Sequence, residues 1–260
     1  MARRRLRQAR TLITGASSGI GRSLALALAE QQARLLLTAR REDRLAELVA
    51  EITRRGGQAT CLAGDMATAA VRQQLAAWIE RHWQGLDILI NNAGVGGVGP
   101  FATSDEARLR QIMELNFFAV TELTRGCLPL LHHGSSPVIL NVGSVLGHFA
   151  VPKKSEYCAS KFALHGWTDA LRMELAADGI DVLLLSPSTT ATEFFAQVKG
   201  DGAEVAVNRL AMTPQQVAKR AVRMLQRGER EVVLSWGGKM LVWLNRLLPG
   251  TLSRLLARWG

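Results

Sequence analysis

The sequence predicts an α/β fold in which a parallel sheet of seven strands is doubly wound with helices. Short apolar runs bounded by turn residues alternate along the chain with longer segments of helical period. A glycine-rich turn separates the first apolar run from the first helical segment. The length of 260 residues and the 48% hydrophobic content suit one well-buried core. Alternating strands and helices of this kind build a parallel sheet with helices on both faces.

The individual elements follow in order along the chain. Strands are predicted at Thr11–Ile13, Leu35–Thr38, Ala59–Leu62, Asp87–Ile90, Val138–Asn141, Asp181–Leu185 and Glu231–Leu234. Helices are predicted at Ile20–Gln32, Arg41–Arg54, Ala67–Trp83, in the region between Ser104 and Leu131, at Ser155–Ala177 and at Pro214–Arg227, with an irregular stretch at Thr189–Met212. No repeat or linker interrupts the series, so we expect residues 1–260 to form one domain, with residues 236–260 as a C-terminal amphipathic helical extension.

The net charge of +10 is concentrated at the two ends of the chain. Residues 1–10 hold five arginines and residues 235–260 hold four basic residues, and neither segment holds an acid. The remaining sequence is almost neutral, with 23 basic and 22 acidic residues. Because a nucleic-acid-binding face requires a basic surface on the folded body, we expect no nucleic-acid partner. No apolar stretch of signal-peptide type follows the first arginines, so no cleaved signal peptide is expected.

The three cysteines, Cys61, Cys127 and Cys158, lie far apart in the sequence. They form no CxxC or Cys/His spacing of a metal site, and pairing two of them would leave an odd thiol. We therefore expect a reduced, cytoplasmic setting and no metal site.

The turn Thr14 to Gly21 has the spacing Gly-x-x-x-Gly-x-Gly between a strand and a helix. Backbone N–H groups and the helix N-terminus can bind a dinucleotide pyrophosphate there, and a Cβ would block its approach. A lone glycine cluster is often only a turn, so its context decides the interpretation.

The context resembles the short-chain dehydrogenase/reductase family, whose fold is Rossmann-like. The resemblance covers about residues 10–234 and is carried by the residues Gly15, Gly19, Gly21, Asp65, Asn91, Asn92, Ala93, Gly94, Asn116, Ser144, Tyr157 and Lys161. It implies a nicotinamide cofactor, a small-molecule carbonyl or alcohol substrate and a homo-oligomer. It also implies cofactor contacts at Gly15, Ser17, Ser18, Gly19, Ile20, Gly21, Asp65, Asn92, Ala93, Gly94, Tyr157, Lys161, Thr190 and Thr192. Asp65 has an alternative role as a cap of the helix that begins near Thr68.

Arg40 follows the second predicted strand, where an acid would bind the ribose 2′-hydroxyl of NAD. A guanidinium suits the 2′-phosphate of NADP through charge-assisted hydrogen bonds, so NADP(H) is favoured over NAD(H). The alternative is that Arg40 and Arg41 form a solvated turn that pairs with Glu42 or Asp43.

Tyr157 is the only tyrosine in the chain and lies four residues before Lys161, so both side chains share one helix face. A phenol titrates near pH 10, and we expect the Lys161 ammonium to lower that pKa. The family resemblance adds that Lys161 binds the nicotinamide ribose, Ser144 hydrogen-bonds the substrate oxygen, and Asn116 holds a water in a proton relay. Tyr157, Lys161, Ser144 and Asn116 are therefore the predicted catalytic set. His148 is expected to line the pocket or to be solvated.

One segment departs from the family pattern, which has Pro-Gly after the sixth strand, whereas this chain has Pro187-Ser188. Serine fits there only if the backbone does not require a positive φ.

The expected substrate pocket is apolar, with walls at Val95–Phe101, Leu146–Val151 and Glu193–Met212, and suits an aliphatic, aromatic or lipid-like carbonyl. The extension Trp236–Gly260 should form two amphipathic helical pieces separated near Pro249. Its longest apolar run, Met240–Leu244, is far shorter than the roughly 20 residues of a membrane span. Packing on protein and peripheral contact with a membrane both remain open for this stripe.

Three functions follow from these observations. The first is an NADP(H)-dependent oxidoreductase that interconverts a carbonyl and a secondary alcohol. The second is a nucleotide-binding redox sensor or scaffold, and the third is a membrane-associated platform that acts through its C-terminal helices. The four predicted catalytic residues favour the enzyme.

Overall fold

The computed structural model describes residues 4–190 and 211–258. Its seven strands are β1 (Arg10–Thr14), β2 (Arg34–Ala39), β3 (Gln58–Ala63), β4 (Ile88–Asn91), β5 (Val138–Val142), β6 (Asp181–Ser186) and β7 (Glu231–Val233). They form one sheet in the order β3-β2-β1-β4-β5-β6-β7, and every neighbouring pair is parallel. The predicted doubly wound, Rossmann-like sheet is confirmed.

The helices connect the strands and cover both faces of the sheet. They are α1 (Gly19–Glu30), α2 (Glu42–Arg54), α3 (Ala69–Trp83), α4 (Glu106–Met113), α5 (Ala119–His132), α6 (Ser155–Glu174), α7 (Pro214–Arg227), α8 (Trp236–Leu247) and α9 (Pro249–Ala257). Short 3₁₀ turns lie at Phe101–Thr103 and Val145–Gly147, and a π-helical turn at Glu114–Phe118 joins α4 to α5. The α6 helix ends three residues before the predicted Ala177, and Gly179 turns the chain with a φ of 69°.

The core consists of two layers because successive strand residues point to opposite faces of the sheet. In β1, Ile13 packs with Leu24 of α1 and with apolar residues of α2 and α7. Its neighbour Leu12 packs on the other face with Leu75 of α3 and with residues of α5 and α6. The inner strands are therefore buried on both faces, as in other parallel sheets, whereas the edge strand β3 is only half-buried.

The two C-terminal helices form a smaller third cluster. Val242 of α8 and Leu252 of α9 are buried against Val145 and Phe149, which follow β5. The two predicted amphipathic helices are thus present, and their inner side packs on the body. Among the described residues, no helix has both the length and the apolar character to cross a membrane.

Candidate active site

A cleft of about 470 Å³ opens at the C-terminal ends of the strands. It lies where the sheet order changes direction between β1 and β4, which is where open α/β sheets bind their ligands. The glycine turn after β1 and the ends of β2, β4, β5 and β6 all contribute lining residues. The fold therefore brings most of the sequence-predicted site residues to one place.

The glycine turn needs its glycines for two physical reasons. Gly15 and Gly19 have φ values of 66° and 53°, which residues with a Cβ rarely adopt. A Cβ on Gly21 would lie 2.3 Å from the carbonyl oxygen of Gly15. Five of the six predicted residues of this turn line the cleft, namely Gly15, Ser17, Ser18, Gly19 and Ile20, whereas Gly21 supports the turn from behind.

The segment after β4 holds the glycine turn in position. The Asn92 side chain donates to the carbonyl oxygens of Thr14 and Gly15 at 2.9 and 3.2 Å. The Thr14 hydroxyl accepts from the backbone N–H groups of Asn92 and Ala93, both at 3.0 Å. Asn92, Ala93 and Gly94 line the cleft beside the turn. Their side-chain and backbone contacts fix the two loops relative to each other.

Two arginines lie at the end of β2. Arg40 is exposed and Arg41 half-buried, and both line the cleft. The Arg41 guanidinium donates to the Ser17 hydroxyl at 3.3 Å from Nε and 3.2 Å from one terminal nitrogen. This contact ties Arg41 to the glycine turn, so Arg41 belongs to the site although sequence analysis had selected only Arg40.

Asp65 follows β3 and also lines the cleft. Its Oδ1 accepts from the backbone N–H of Ala67 at 3.0 Å, in a turn that precedes α3. The N-cap residue of α3 is Thr68, so Asp65 is not the helix cap. It remains an exposed carboxylate at the cleft.

Ser144, Tyr157 and Lys161 meet at the inner end of the cleft. Ser144 follows β5 directly, and Tyr157 and Lys161 lie one turn apart on α6. Ser144 hydrogen-bonds Tyr157, and the Lys161 Nζ lies 5.8 Å from the centroid of the Tyr157 ring. The buried Lys161 ammonium donates to the carbonyl oxygen of Val142 at 3.1 Å. The Ser144 hydroxyl, the Tyr157 phenol and the Lys161 ammonium therefore lie close together in the cleft.

The expected lowering of the Tyr157 pKa by Lys161 is wrong for this structure. Burial raises the pKa of Tyr157 to about 12, and only the hydrogen bond from Ser144 acts in the other direction. Burial also lowers the pKa of Lys161 to about 8, because an ammonium loses hydration there. The phenol therefore stays protonated at neutral pH.

Asn116 lies in the π-helical turn and is almost completely buried. Its amide nitrogen donates to the Val95 carbonyl at 2.9 Å and to the Ser160 hydroxyl at 3.0 Å, and its oxygen accepts from the Val95 N–H at 2.8 Å. Both amide hydrogens are used by these two acceptors. The side chain thus joins the segment after β4 to α6, between Tyr157 and Lys161.

The segment after β6 fits the cleft despite its departure from the family pattern. Ser188 is not among the residues with positive φ, so serine is accommodated without strain. Thr190 is buried, lines the cleft and donates its hydroxyl to the Ser188 carbonyl at 3.0 Å. Thr192 and most of the predicted wall Glu193–Met212 lie outside the described residues.

The apolar wall of the cleft is only partly the predicted one. Lining residues of this wall are Val95, Val98, Leu115, Leu146, Phe149, Val151 and Leu241. Phe101 was wrongly included, because its side chain points to solvent with 68% exposure. Gly238 and Leu241 of α8 were missed, since nothing local in the sequence shows that this helix folds back to the cleft.

The expectation that His148 lines the pocket or is solvated is also wrong. His148 is buried, outside the cleft, and its Nε2 lies 3.1 Å from the Ser186 hydroxyl. Its ring is 4.4 Å from that of His165. Burial, the main cause, lowers the pKa of His148 to about 4, so the imidazole is neutral.

Comparisons with known proteins agree with this fold. The family model described as short chain dehydrogenase matches residues 9–202. The ketoacyl reductase HetN of Nostoc is 30% identical over 95% of this chain and 88% of its own length. The putative oxidoreductase SadH of Mycobacterium tuberculosis is 33% identical over 95% and 93% of the two chains.

Two solved structures have the same architecture. A short-chain dehydrogenase from Burkholderia cenocepacia, in complex with NADP, superposes with a TM-score of 0.80 at 27% identity over 91% of this chain and all of that one. A short-chain dehydrogenase/reductase from Burkholderia phymatum, in complex with NAD, has a TM-score of 0.89 at 22% identity over 96% and 97% of the two chains. The second likeness concerns the fold alone.

Proposed function

Because the chain belongs to the short-chain dehydrogenase family, we propose that it is an NADP(H)-dependent oxidoreductase that interconverts a carbonyl and a secondary alcohol on an apolar or lipid-like substrate. The observation that carries this proposal is the convergence of Ser144, Tyr157 and Lys161 at the inner end of the cleft that the glycine turn lines. A scaffold or sensor would need the nucleotide site, but it would not need the hydroxyl groups of Ser144 and Tyr157 beside that site.

The residues divide the chemistry between them. The bound nicotinamide would supply the hydride. In the reduction direction, the Tyr157 phenol donates its proton to the alkoxide oxygen that develops on the substrate, and the Ser144 hydroxyl holds that oxygen. The Tyr157 phenol is protonated at neutral pH, as a proton donor must be, although burial also makes it a weaker acid than a phenol in water. Lys161 would bind the nicotinamide ribose. Asn116 would fix the position of the loop at Val95 relative to helix α6.

The preference for NADP(H) is proposed from the charges beside the glycine turn. Arg40 and Arg41 both line the cleft there, and no acid replaces them at the end of β2. A 2′-phosphate placed between two guanidiniums would gain charge-assisted hydrogen bonds that a hydroxyl lacks. The Arg41 contact with Ser17 supports this proposal because it orients the guanidinium toward the turn.

The substrate class is proposed from the apolar wall. The aliphatic and aromatic side chains there can contact an apolar substrate but offer it few polar partners. The name of the Nostoc relative includes a ketoacyl substrate, which is a carbonyl compound with an acyl chain.

An assay with purified protein tests the proposal directly. Ketones, aldehydes and secondary alcohols of increasing chain length are offered with NADPH, NADH, NADP⁺ or NAD⁺, and the absorbance of the reduced nicotinamide is followed. We expect turnover with NADPH and a long-chain or aromatic ketone. If NADPH binds but no compound is turned over, the sensor or scaffold role replaces the enzyme.

A peripheral membrane role for the C-terminal helices is supported by their outer surface. Trp236, Met240, Trp243 and Leu247 lie on one side of α8 and are each 62–88% exposed. Basic side chains flank this stripe, and the segment carries no acid that would repel an anionic lipid surface. We therefore propose that this surface contacts the anionic face of a membrane from the cytoplasm, where the three free thiols would stay reduced.

Association into a homo-oligomer is proposed from a different surface. Phe118 and Phe162 are 48% and 44% exposed, outside the C-terminal helices. Exposed aromatic side chains promote association. Light scattering at several protein concentrations should detect a particle larger than the 28.3 kDa chain.

A further inference from the structure

A cluster of metal-ligating side chains lies outside the cofactor cleft. His148 follows the 3₁₀ turn after Ser144, His165 lies on α6, and Glu231 is the first residue of β7. Their ligand atoms all lie within 4.8 Å of one another, and none of the three residues lines the cleft. Three separate elements thus meet at this cluster, which the mechanism above does not use.

The distances approach those of a tetrahedral zinc site. Zinc bonds histidine nitrogen and carboxylate oxygen at about 2.0–2.2 Å, which places its ligand atoms about 3.4 Å apart. The Glu231 Oε1 lies 3.1 Å from the His148 Nε2 and 3.9 Å from the His165 Nε2. Small movements of the half-buried Glu231 and His165 side chains would therefore close the set around one ion.

The hydrogen bonds of His165 leave the correct nitrogen for a metal. Its Nδ1 lies 3.1 Å from the carbonyl oxygen of Gly147, which only accepts, so Nδ1 carries the hydrogen. The other ring nitrogen, Nε2, then faces the carboxylates of Asp169, at 3.4 Å, and Glu231, at 3.9 Å. Metal-bound histidines use the same arrangement, in which a carbonyl oxygen accepts from the other ring nitrogen.

The carboxylates of the cluster also suit a cation. The Glu231 Oε1 is buried, and within residues 4–190 and 211–258 it has no hydrogen bond of acceptable geometry, although the His148 Nε2 lies 3.1 Å away. A buried polar atom of this kind requires an explanation, and an ion is one. Asp169, which pairs with Arg172 at 2.5 Å and lies 3.4 Å from the His165 Nε2, adds a second carboxylate beside the cluster.

We propose that His148, His165 and Glu231 bind one Zn²⁺ ion, with solvent or Asp169 in the fourth position. Sequence analysis predicted no metal site, because these three residues are distant in sequence and have no recognisable spacing. A filled site would join the turn that follows Ser144 to α6 and β7. The site would therefore be structural and would stabilise the support of the catalytic residues without taking part in the reaction.

The test uses full-length protein without a polyhistidine tag, stripped with a chelator and then incubated with Zn²⁺ alone. After gel filtration, elemental analysis should find one zinc per chain, and the melting temperature should rise with the free zinc concentration. Co²⁺ in place of zinc should give the visible absorption of a four- or five-coordinate site. These readouts do not depend on activity, so they remain valid if the proposed reaction is wrong.

The variants His165→Gln and Glu231→Gln remove one ligand each from half-buried positions. Each should weaken zinc binding at least about ten-fold, the loss that removal of even an outer-shell partner causes. The matched control is His133→Gln, which removes an exposed histidine and should leave one zinc per chain. The proposal is overturned if wild-type protein retains no zinc, or if both ligand variants bind zinc as wild type does. It is equally overturned if only His133→Gln loses the metal.

Discussion

The cofactor cleft and the C-terminal helices differ in where their side chains find partners. In the cleft, Asn92 is bonded to Thr14 and Gly15, and Asn116 to Val95 and Ser160, so the chain itself fixes the geometry. In α8 and α9, the inner side packs on the body, whereas the outer stripe faces solvent. The contacts within the chain therefore organise the cleft, whereas the outer stripe of α8 is the surface for which we propose membrane contact.

The strongest test of the cleft is Tyr157→Phe, which keeps the ring and removes the transferable proton. Turnover should fall by about 10²- to 10⁴-fold, the usual contribution of a positioned general acid. NADPH binding should change little, because the ring and Lys161 remain. Steady-state rates measure the first effect and fluorescence titration the second. Turnover close to that of the wild type would contradict the role given to Tyr157.

The second test breaks the buried ion pair that supports the start of α6. Arg108 and Glu156 are 9% and 2% exposed, and their closest atoms are 2.6 Å apart. Glu156→Gln should lower the free energy of unfolding by about 3–5 kcal/mol, because it leaves a buried charge without its partner. The control Glu106→Gln breaks an exposed pair with Arg110 and should cost less than about 1 kcal/mol. Denaturant unfolding measures the free energy of unfolding of both variants. Equal losses in the two variants would contradict the conclusion that burial makes the Arg108–Glu156 pair more important than the exposed pair.

The same pair predicts how wild-type stability depends on pH. Burial alone would raise the pKa of Glu156, but the hydrogen bonds from Arg108 and neighbouring groups outweigh it and lower the pKa from 4.5 to about 2. A depressed carboxyl pKa stabilises the fold above the unfolded-state value, so this contribution is lost as the pH falls from about 4.5 to about 2. Unfolding curves across that range should show a smaller acid dependence in Glu156→Gln than in wild type. Identical acid dependence in the two proteins would show that Glu156 does not titrate as described.

The third test concerns the nucleotide preference. Arg40→Ala should weaken NADPH binding by about 10- to 100-fold, since a hydrogen bond to a charged group contributes about 1.5–3 kcal/mol. NADH binding should stay within about two-fold, because NADH lacks the 2′-phosphate. Arg54→Ala, an exposed arginine at the end of α2, is the matched control and should affect neither cofactor. Equal loss of NADPH and NADH binding in Arg40→Ala would contradict the NADP(H) assignment.

The last test changes the C-terminal helices and should have the smallest effect on catalysis. The double variant Trp243→Ser with Leu247→Ser changes only the outer stripe of α8, so kcat/KM for a water-soluble substrate should stay within about two-fold. Binding to vesicles that contain anionic lipid should fall at least about ten-fold, since each buried side chain contributes about 1.5–3 kcal/mol. Flotation with anionic and with neutral vesicles measures this effect. Unchanged binding would remove the membrane role, and loss of an oligomer instead would assign the stripe to subunit packing.

Point variants replace a simple truncation for a structural reason. Removal of residues 237–260 would be informative only if it changed association without changing the chemistry. The structure makes this separation unsuitable, because Gly238 and Leu241 line the cleft and Val242 packs on Val145 beside Ser144. Truncation should therefore affect both properties.

The sequence predicted the features that depend on residues close to one another along the chain. The strands follow from short apolar runs, and the glycine turn and the Tyr157–Lys161 pair follow from local spacing. The structure added contacts between residues that are distant along the chain, such as Arg108 with Glu156 and Arg41 with Ser17. The pKa of Tyr157 was mispredicted for the same reason, since it depends on burial by the whole fold. No local pattern contains that information.

The π-helical turn at Glu114–Phe118 has a consequence for insertions and deletions in this part of the chain. A π turn holds one residue more than an α turn. The side chains of α5 are therefore rotated by about 100° around the helix axis, relative to an uninterrupted α-helix that continues from α4. This rotation lets Ile112 point inward before the turn, while Leu123 and Cys127 point inward after it. Deleting one residue from this turn would rotate the buried face of α5 out of the core and displace Asn116. The number of residues in this turn is therefore fixed by the packing on both sides of it. Relatives that share this core should tolerate substitutions here far better than changes in length.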